Sequence, residues 1–226
     1  MELGELAAGA RVLEIGCGTG QATRAFAERG FRVTCVELGE RLAAVARSNL
    51  AAFANVDVVH ADFETWESDE LFDAVVAFTS LHWIDPELRY AKPARLLSGR
   101  GILAVVETEH VRDENPFWLE VQEDYDTVVP SPTNRPPPRP EEVGDLSAAI
   151  DASGVFRTIA VRKHMVEIVY TADEYIDTLA TYSPNIALDD ETRRRLFDRI
   201  RARVERAGGT IAKPYLYVVN VARRVM

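Results

Sequence analysis

The sequence predicts an α/β fold in which helices wind on both faces of a mostly parallel sheet of seven strands. Three observations lead to this fold class. Apolar segments rich in β-branched residues alternate with helical patterns, as in parallel strands joined by crossover helices. A glycine-rich loop follows the first apolar segment. The length of 226 residues suits one domain with a sizeable core and an insertion, rather than two full domains.

The first half of the chain supplies five strands and three helices of this sheet. Each predicted strand is a short apolar run, and each predicted helix has apolar residues near helical spacing. A doubly wound sheet is the simplest arrangement for such an alternation. The strands are Arg11–Ile15, Arg32–Glu37, Val56–His60, Asp73–Thr79 and Gly101–Glu107. The helices are Ala22–Arg29, Glu40–Phe53 and Pro86–Leu97.

After Glu107 the pattern changes, which predicts an insert that follows the fifth strand. Phe117, Val121, Tyr125 and Val128 form the apolar stripe of an amphipathic helix. Six of the eleven prolines then fall within residues 130–140, where they prevent a helix or a central strand from continuing. We interpret this segment as a helical and proline-rich cap.

The remaining residues predict helices and the last two strands. Residues 171–174 fit a capping box, and residues 189–207 place acids first and arginines last, as the helix dipole favours. The seven arginines of that last helix are expected to form a mostly solvated face. Helix 141–153 and strands 157–170 and 215–223 complete the prediction. We divide the chain into a core of residues 1–107, an insert of residues 108–140 and a completion of residues 141–226 with a lid helix at 171–183.

Composition narrows the range of partners. The net charge of −10 and the pI near 5.0 disfavour nucleic acid, because nucleic-acid binders display a basic surface. No signal peptide or apolar run of membrane-spanning length is seen, so we expect a cytoplasmic protein, monomeric or homodimeric, without a membrane partner. Cys17 and Cys35 have no metal-ligand spacing and are interpreted as small apolar residues.

The glycine loop carries the strongest functional signal. Glycines at every second position, in the pattern Glu14-x-Gly16-x-Gly18-x-Gly20, allow the backbone to approach a ligand closely. A dinucleotide fingerprint needs a small residue where Gln21 stands, so Gly20 comes one residue early for that pattern. The loop instead resembles motif I of class I S-adenosylmethionine-dependent methyltransferases.

An acid and a second motif support this resemblance. Glu37 ends the second strand about twenty residues after the loop, where a carboxylate can accept both hydroxyls of a ribose. NAD enzymes place an acid there too, so Glu37 indicates an adenosine ligand without identifying it. The segment Leu81-His82-Trp83-Ile84-Asp85 is similar to small-molecule methyltransferases of the trans-aconitate methyltransferase type.

The resemblance implies a Rossmann-like methyltransferase fold that binds S-adenosylmethionine and releases S-adenosylhomocysteine. In the family, the residue at Glu14 holds the methionine amino group, directly or through water. The residue at Asp62 accepts a hydrogen bond from the adenine amino group, and the backbone at Phe63 reads the ring edge. The residues expected to bind the cofactor are Glu14, Gly16, Gly18, Gly20, Gln21, Glu37, Leu38, Asp62, Phe63 and Phe78.

The acceptor is expected to be a small molecule that is methylated on a hydroxyl or carboxyl group. The sulfonium carbon is already electrophilic, so alignment is the main requirement and no metal is needed. His82 and His110 follow strand ends and are the candidate bases, with pocket lining or surface hydrogen bonding as the alternative for both. The aromatic residues of the second half either line the acceptor pocket or make helix core contacts; they are Trp118, Tyr125, Tyr175 and Tyr182.

Two other functions stay open at this point. An NAD(P)-dependent oxidoreductase would share the adenosine-binding features, but the sequence has no Tyr-x-x-x-Lys pair. A non-catalytic S-adenosylmethionine-binding protein is the other alternative. Relatives usually carry a helical cover before the first strand, and here about ten residues precede it.

Overall fold

The computed structural model describes residues 6–132 and 134–225. The described strands are β1 Arg11–Ile15, β2 Arg32–Glu37, β3 Val56–His60, β4 Phe72–Phe78, β5 Leu97–His110, β6 Phe156–Thr171 and β7 Thr210–Arg224. The described helices are α1 Gln21–Ala27, α2 Glu40–Asn49, α3 Ala91–Leu96, α4 Phe117–Val128, α5 Ser147–Ala152, α6 Ala172–Ala180, α7 Ser183–Ile186 and α8 Asp190–Arg206.

The chain forms two compact units. The first unit contains the residues up to 108, residues 145–163 and the residues from 218 onward. The second unit contains residues 109–144 and 164–217. The division of the chain into core, insert and completion that the sequence suggests stays a prediction.

The sheet has the strand order β3-β2-β1-β4-β5-β7-β6, and the five strands from β3 to β5 pair in parallel. Successive residues of β1 enter different core clusters: Val12 packs with α1 and α2 residues, and Leu13 packs with residues of α3 and α5. Because side chains of a strand alternate between faces, helices cover both faces of the sheet. The predicted doubly wound α/β fold is confirmed.

Several predicted helices are shorter than expected: α2 ends at Asn49 rather than Phe53, and α6 covers Ala172–Ala180 of the lid helix predicted at 171–183. Instead of a helix over Pro86–Leu97, residues 86–90 form turns and α3 begins at Ala91. The Asp85 carboxylate accepts the backbone N–H of Glu87 and holds this turn. Similarly, the predicted helix of residues 141–153 is a short 3₁₀ turn followed by α5. Between them, Asp145 accepts the backbone N–H of Ser147.

Strand β5 begins earlier than predicted and contains an irregularity. Phe72 of β4 pairs with Leu97, whereas Ala74 pairs with Ile102, so extra residues of β5 bulge between these two pairs. A Cβ on Gly101 would lie 3.2 Å from the backbone oxygen of Asp73. Glycine therefore allows the bulge to approach β4 closely.

The second unit is built around helices α4, α6 and α8, whose apolar faces form one core cluster. The expectation of a mostly solvated arginine face on α8 is only partly correct. Arg203 and Arg199 both pair with Asp124 of α4, which is 1% exposed. Arg203 also pairs with Glu120 at 2.7 Å. In neither described stretch of the chain is any helix long and apolar enough to cross a membrane.

Candidate functional site

A cleft of about 640 Å³ lies at the carboxyl ends of β1, β2 and β4. The order of the strands reverses between β1 and β4, and ligands of open parallel sheets bind at such a point. The lining residues are Ile15, Gly16, Gly18, Val36, Glu37, Leu38, Gly39, Leu42, Asp62, Phe63, Glu64, Phe78, Thr79, Ser80, Trp83 and Ile84.

The glycine loop forms one wall of the cleft. Gly16 donates its backbone N–H to Val36 at 2.8 Å, and a Cβ on Gly16 would lie 2.8 Å from the Cβ of Ser80. Gly18 has a φ of 57°, and a Cβ placed there would meet no protein atom within 4 Å. Because Gly18 lines the cleft, its missing side chain leaves space for a ligand.

Three residues predicted to bind the cofactor do not line this cleft: Gly20, Gln21 and Glu14. Gly20 is the residue before α1, and a Cβ on it would lie 2.7 Å from Leu50. The glycine is therefore needed for packing against the end of α2. Gln21 is the exposed first residue of α1. The spacing of the motif predicted ligand contacts at Gly20 and Gln21. Spacing alone does not show where the chain turns away from the cleft.

Glu37 connects the end of β2 to the glycine loop. It is 6% exposed, and its two carboxylate oxygens accept the backbone N–H groups of Gly18 and Gly39, each at 2.8 Å. A carboxylate oxygen has more than one lone pair, so it can accept a further hydrogen bond from a ligand. The geometry fits an acid that holds the loop and faces the cleft at the same time.

Glu14 lies behind the loop rather than at the cleft surface. It is 1% exposed, and its carboxylate accepts a hydrogen bond from the hydroxyl of Thr23 at 2.6 Å, with Cys35 Sγ at 3.9 Å. Burial raises the pKa of Glu14 from 4.5 to about 7, although the hydrogen bonds from Thr23 and Cys35 act in the opposite direction. Its role as a ligand of the methionine amino group stays a prediction.

The other predicted residues lie on the opposite wall and at the mouth of the cleft. Phe63 is 4% exposed and packs under the ammonium of Lys92, whereas Leu38 is 68% exposed. Asp62 is exposed, and its Oδ1 accepts the backbone N–H of Glu64 at 2.8 Å. Phe78 contributes the end of β4. The structure therefore brings the predicted adenosine residues together.

Sequence reasoning missed two residues at the end of β4. The hydroxyl of Ser80 donates to the backbone oxygen of Ile15 and so joins the ends of β4 and β1. Thr79 has a φ of 52°, which is strained for a β-branched residue. Its backbone N–H donates to Val106 at 2.7 Å, which helps to hold this conformation. The sequence carried no signal for either role, because both depend on backbone conformation.

The two candidate bases lie in different units. His82 belongs to a 3₁₀ turn of the first unit, where its Nδ1 is 3.7 Å from a carboxylate oxygen of Glu107. His82 is not a lining residue, but its neighbour Trp83 is, and Trp83 is 75% exposed. His110 belongs to the second unit, where its ring lies edge-on to Tyr182 and Tyr215.

Comparisons with known proteins agree with the cleft geometry. Residues 12–101 match a family described as a methyltransferase domain. A Mycobacterium tuberculosis protein described as an uncharacterized methyltransferase is 29% identical over 206 residues, covering 86% of this chain and 73% of that protein. The crystal structure of a Bacillus halodurans protein assigned as a methyltransferase has a TM-score of 0.60 at 19% identity, covering 98% of this chain and 95% of that chain. Residues 12–101 are thus similar to a methyltransferase domain, and the relatives support a class I S-adenosylmethionine-dependent methyltransferase.

A second relative of this chain has a named substrate. The trans-aconitate 2-methyltransferase of Escherichia coli is 28% identical over 116 residues, which cover 47% of this chain and 45% of that enzyme. The similarity therefore spans less than half of each protein.

The cleft fits the cofactor that the similarity to methyltransferases implies. Gly18 provides a backbone wall without a side chain, Glu37 provides a nearly buried carboxylate, and Leu38 provides an exposed apolar surface. These are the three features needed by an adenosine with a free ribose diol. Among the described residues, no group of three or more His, Cys, Asp or Glu is arranged to hold a metal ion.

Proposed function

We propose that this methyltransferase transfers a methyl group from S-adenosylmethionine to a small molecule, on an oxygen of a hydroxyl or carboxyl group. The observation that carries the proposal is the cleft at the reversal of strand order, where Glu37 accepts the amide of Gly18 in the glycine loop. S-adenosylmethionine supplies the chemistry, because its methyl group is bonded to a sulfonium and is ready for transfer.

The residues in and behind the cleft have separate roles in cofactor binding. Glu37 accepts the ribose hydroxyls, and its two backbone hydrogen bonds fix the carboxylate in the required position. The Asp62 carboxylate accepts a hydrogen bond from the adenine amino group beside Phe63, and Leu38 covers one face of the adenine ring. Glu14 supports the glycine loop from behind, where its carboxylate accepts a hydrogen bond from the hydroxyl of Thr23.

The proposal of a small acceptor is supported by charge. A chain with a net charge of −10 is poorly suited to a nucleic-acid substrate. We place acceptor selection in the second unit, which includes most of the predicted insert and the helix at 171–183. For a hydroxyl acceptor, His82 is a candidate base because Glu107 can orient its ring.

The first experiment measures S-adenosylhomocysteine binding by calorimetry. Glu37→Ala should weaken binding by about 30- to 150-fold, since charge-assisted hydrogen bonds contribute roughly 2–3 kcal/mol. The matched control is Glu40→Ala, an exposed acid of α2 that does not line the cleft, and it should leave the affinity unchanged.

A second ligand separates sugar recognition from ordering of the loop. An S-adenosylhomocysteine analogue without the ribose 2′-hydroxyl should lose much less affinity on Glu37→Ala than the parent ligand does. Binding of NADH without binding of S-adenosylhomocysteine would instead support an oxidoreductase. Binding of S-adenosylhomocysteine without methyl transfer to a broad panel of hydroxyl and carboxyl acceptors would support a non-catalytic binding protein.

A further inference from the structure

The second unit contains a group of polar side chains that the proposed cofactor site does not use. We call it the lysine–tyrosine cluster, and it consists of Lys213, Trp118, Tyr170, Tyr182 and Tyr215. All five residues belong to the second unit, and the ring of His110 packs against two of the tyrosines. The cluster lies on β6, β7 and α4 and beside α7.

Lys213 is the charged centre of the cluster. It is 3% exposed, and its Nζ donates one hydrogen bond, to the backbone oxygen of Val111 at 3.2 Å. The Nζ also lies 4.4 Å from the ring centre of Trp118. No Asp or Glu in residues 6–132 or 134–225 forms an ion pair with it, and Asp113 attracts it only from a longer distance. A buried ammonium group with three donors normally has more acceptors around it.

Trp118 provides an independent observation. Its Nε1 is buried and has no hydrogen-bond partner within the part of the chain that the structure describes. Most buried polar groups in proteins are hydrogen-bonded, so an unpartnered indole N–H needs an explanation. The same ring is the one that Lys213 covers.

The tyrosines add a further donor. The hydroxyl of Tyr215 lies 3.1 Å from that of Tyr170 and 3.5 Å from that of Tyr182. Three hydroxyl groups joined by two hydrogen bonds keep at least one O–H group available for another acceptor. The cluster therefore combines a positive charge with more donors than acceptors.

We propose that the lysine–tyrosine cluster binds the carboxylate of a small organic acid, with Lys213 as its charge partner. A carboxylate supplies one negative charge and up to four acceptor positions, which match the surplus donors. The aromatic faces of Trp118 and Tyr215 favour an acid with an apolar body over a bare inorganic anion. This inference goes beyond the proposed function, because it concerns a site within the second unit.

The test uses benzoate as the probe, with benzamide as its uncharged counterpart and inorganic phosphate as a second anion. The readout is the indole ¹⁵N–¹H resonance of Trp118 in the full chain, assigned with Trp118→Phe. Benzoate should shift this resonance in a saturable way, and it should bind about tenfold or more tightly than benzamide and phosphate. Equal binding of benzoate and benzamide would overturn the proposal. Tighter binding of phosphate than of benzoate would contradict the proposed preference for an organic acid.

Variants test the role of the charge. Lys213→Met keeps an apolar side chain of similar length and should weaken benzoate binding by about tenfold or more. The control is Lys163→Met, which changes an exposed lysine of β6 and should have no effect. Unchanged benzoate binding in a folded Lys213→Met protein would rule out Lys213 as the charge partner.

The unmodified protein gives a second test if Lys213→Met does not fold. Burial lowers the pKa of Lys213 to about 8, and Asp113 opposes this change. Benzoate affinity should therefore fall by about tenfold per pH unit above pH 8, as the ammonium loses its proton. His110, Tyr182 and Tyr215 should not titrate in this range, since burial lowers the pKa of His110 and raises the pKa values of Tyr182 and Tyr215. A flat pH profile would contradict the proposal.

S-adenosylhomocysteine binding, measured on the same samples, separates this proposal from the proposed function. If the protein binds the cofactor but shows no benzoate response, the proposed carboxylate site at the lysine–tyrosine cluster is refuted and the proposed function is not. A loss of both responses in folded protein refutes both proposals.

Discussion

At the scale of single residues, Glu14 and Glu37 show how environment divides two carboxylates beside one loop into different roles. Glu37 accepts two backbone N–H groups and lines the cleft. Glu14 is enclosed by the sheet and α1, and its carboxylate accepts a hydrogen bond from the hydroxyl of Thr23. A carboxylate with fewer donors and more burial is harder to ionise. Glu14 is therefore suited to packing as a neutral acid at the base of the loop.

This difference predicts a pH dependence of stability. The folded protein holds the proton of Glu14 up to about pH 7, whereas the unfolded chain loses it near pH 4.5. Ionisation of the unfolded chain then lowers the free energy of unfolding as the pH rises from about 4.5 to about 7, by roughly 3 kcal/mol in total. Glu14→Gln removes this loss, so the variant should become more stable relative to the parent protein over that interval.

Urea unfolding of both proteins at several pH values between 4.5 and 8 measures the effect. The difference in unfolding free energy isolates Glu14, because the titrations of other groups are common to both proteins. A constant difference across this range would show that Glu14 ionises normally in the folded protein.

The sequence located seven of the sixteen residues that line the cleft. The glycine spacing and the acid at the end of β2 led to Gly16, Gly18 and Glu37, which the structure places together. These positions follow from residue type and spacing, which a sequence displays directly. Ser80 and Thr79 were missed because their contribution depends on a hydrogen bond to another strand and on a positive φ.

At the scale of secondary-structure elements, helices α4 and α8 are joined by buried charge as well as by apolar packing. Asp124 of α4 receives hydrogen bonds from Arg203 at 2.6 Å and Arg199 at 2.9 Å. Burial alone would raise the pKa of Asp124, but the two guanidinium groups outweigh it and hold the pKa below its usual value. The carboxylate is therefore charged and paired inside the second unit.

Asp124→Asn should destabilise the protein by about 2–3 kcal/mol, because it removes the buried charge that pairs with both Arg203 and Arg199 while keeping the shape of the side chain. The free energy of unfolding from urea titration measures the loss. The control on the same helix is Glu123→Gln, an exposed position whose change should stay within about 0.5 kcal/mol. Equal stability of the two variants would mean that the pairing of Asp124 with the arginines makes no net contribution to the free energy of unfolding.

Helices and strands could be predicted from the sequence where a local residue pattern sets their limits. The strands from β1 to β4 came within one residue at each end, because apolar runs and their flanking turns set the limits. The helix expected over Pro86–Leu97 was too long, since the turn held by Asp85 competes with helix formation. The bulge of β5 depends on pairing with β4, and no local pattern indicates it.

At the scale of the whole molecule, the two proposed sites belong to different units. The residues that line the cleft all lie between Ile15 and Ile84, in the first unit. The lysine–tyrosine cluster belongs to the second unit, and strands β5, β6 and β7 each contribute residues to both. Cofactor affinity and benzoate affinity should thus respond to different substitutions, Glu37→Ala and Lys213→Met respectively.

Cofactor binding should also stabilise the molecule as a whole. A ligand that binds only the folded chain adds about 2.7 kcal/mol at a concentration of ~100 times its dissociation constant. For a chain of 226 residues, each kcal/mol corresponds to about 2–4 °C, so saturating S-adenosylhomocysteine should raise the Tm by roughly 5–11 °C in scanning calorimetry. Glu37→Ala at the same ligand concentration should show a much smaller rise, because its fractional saturation is lower. An unchanged Tm in the parent protein at saturation would contradict a folded-state binding site, since mass action then requires a shift.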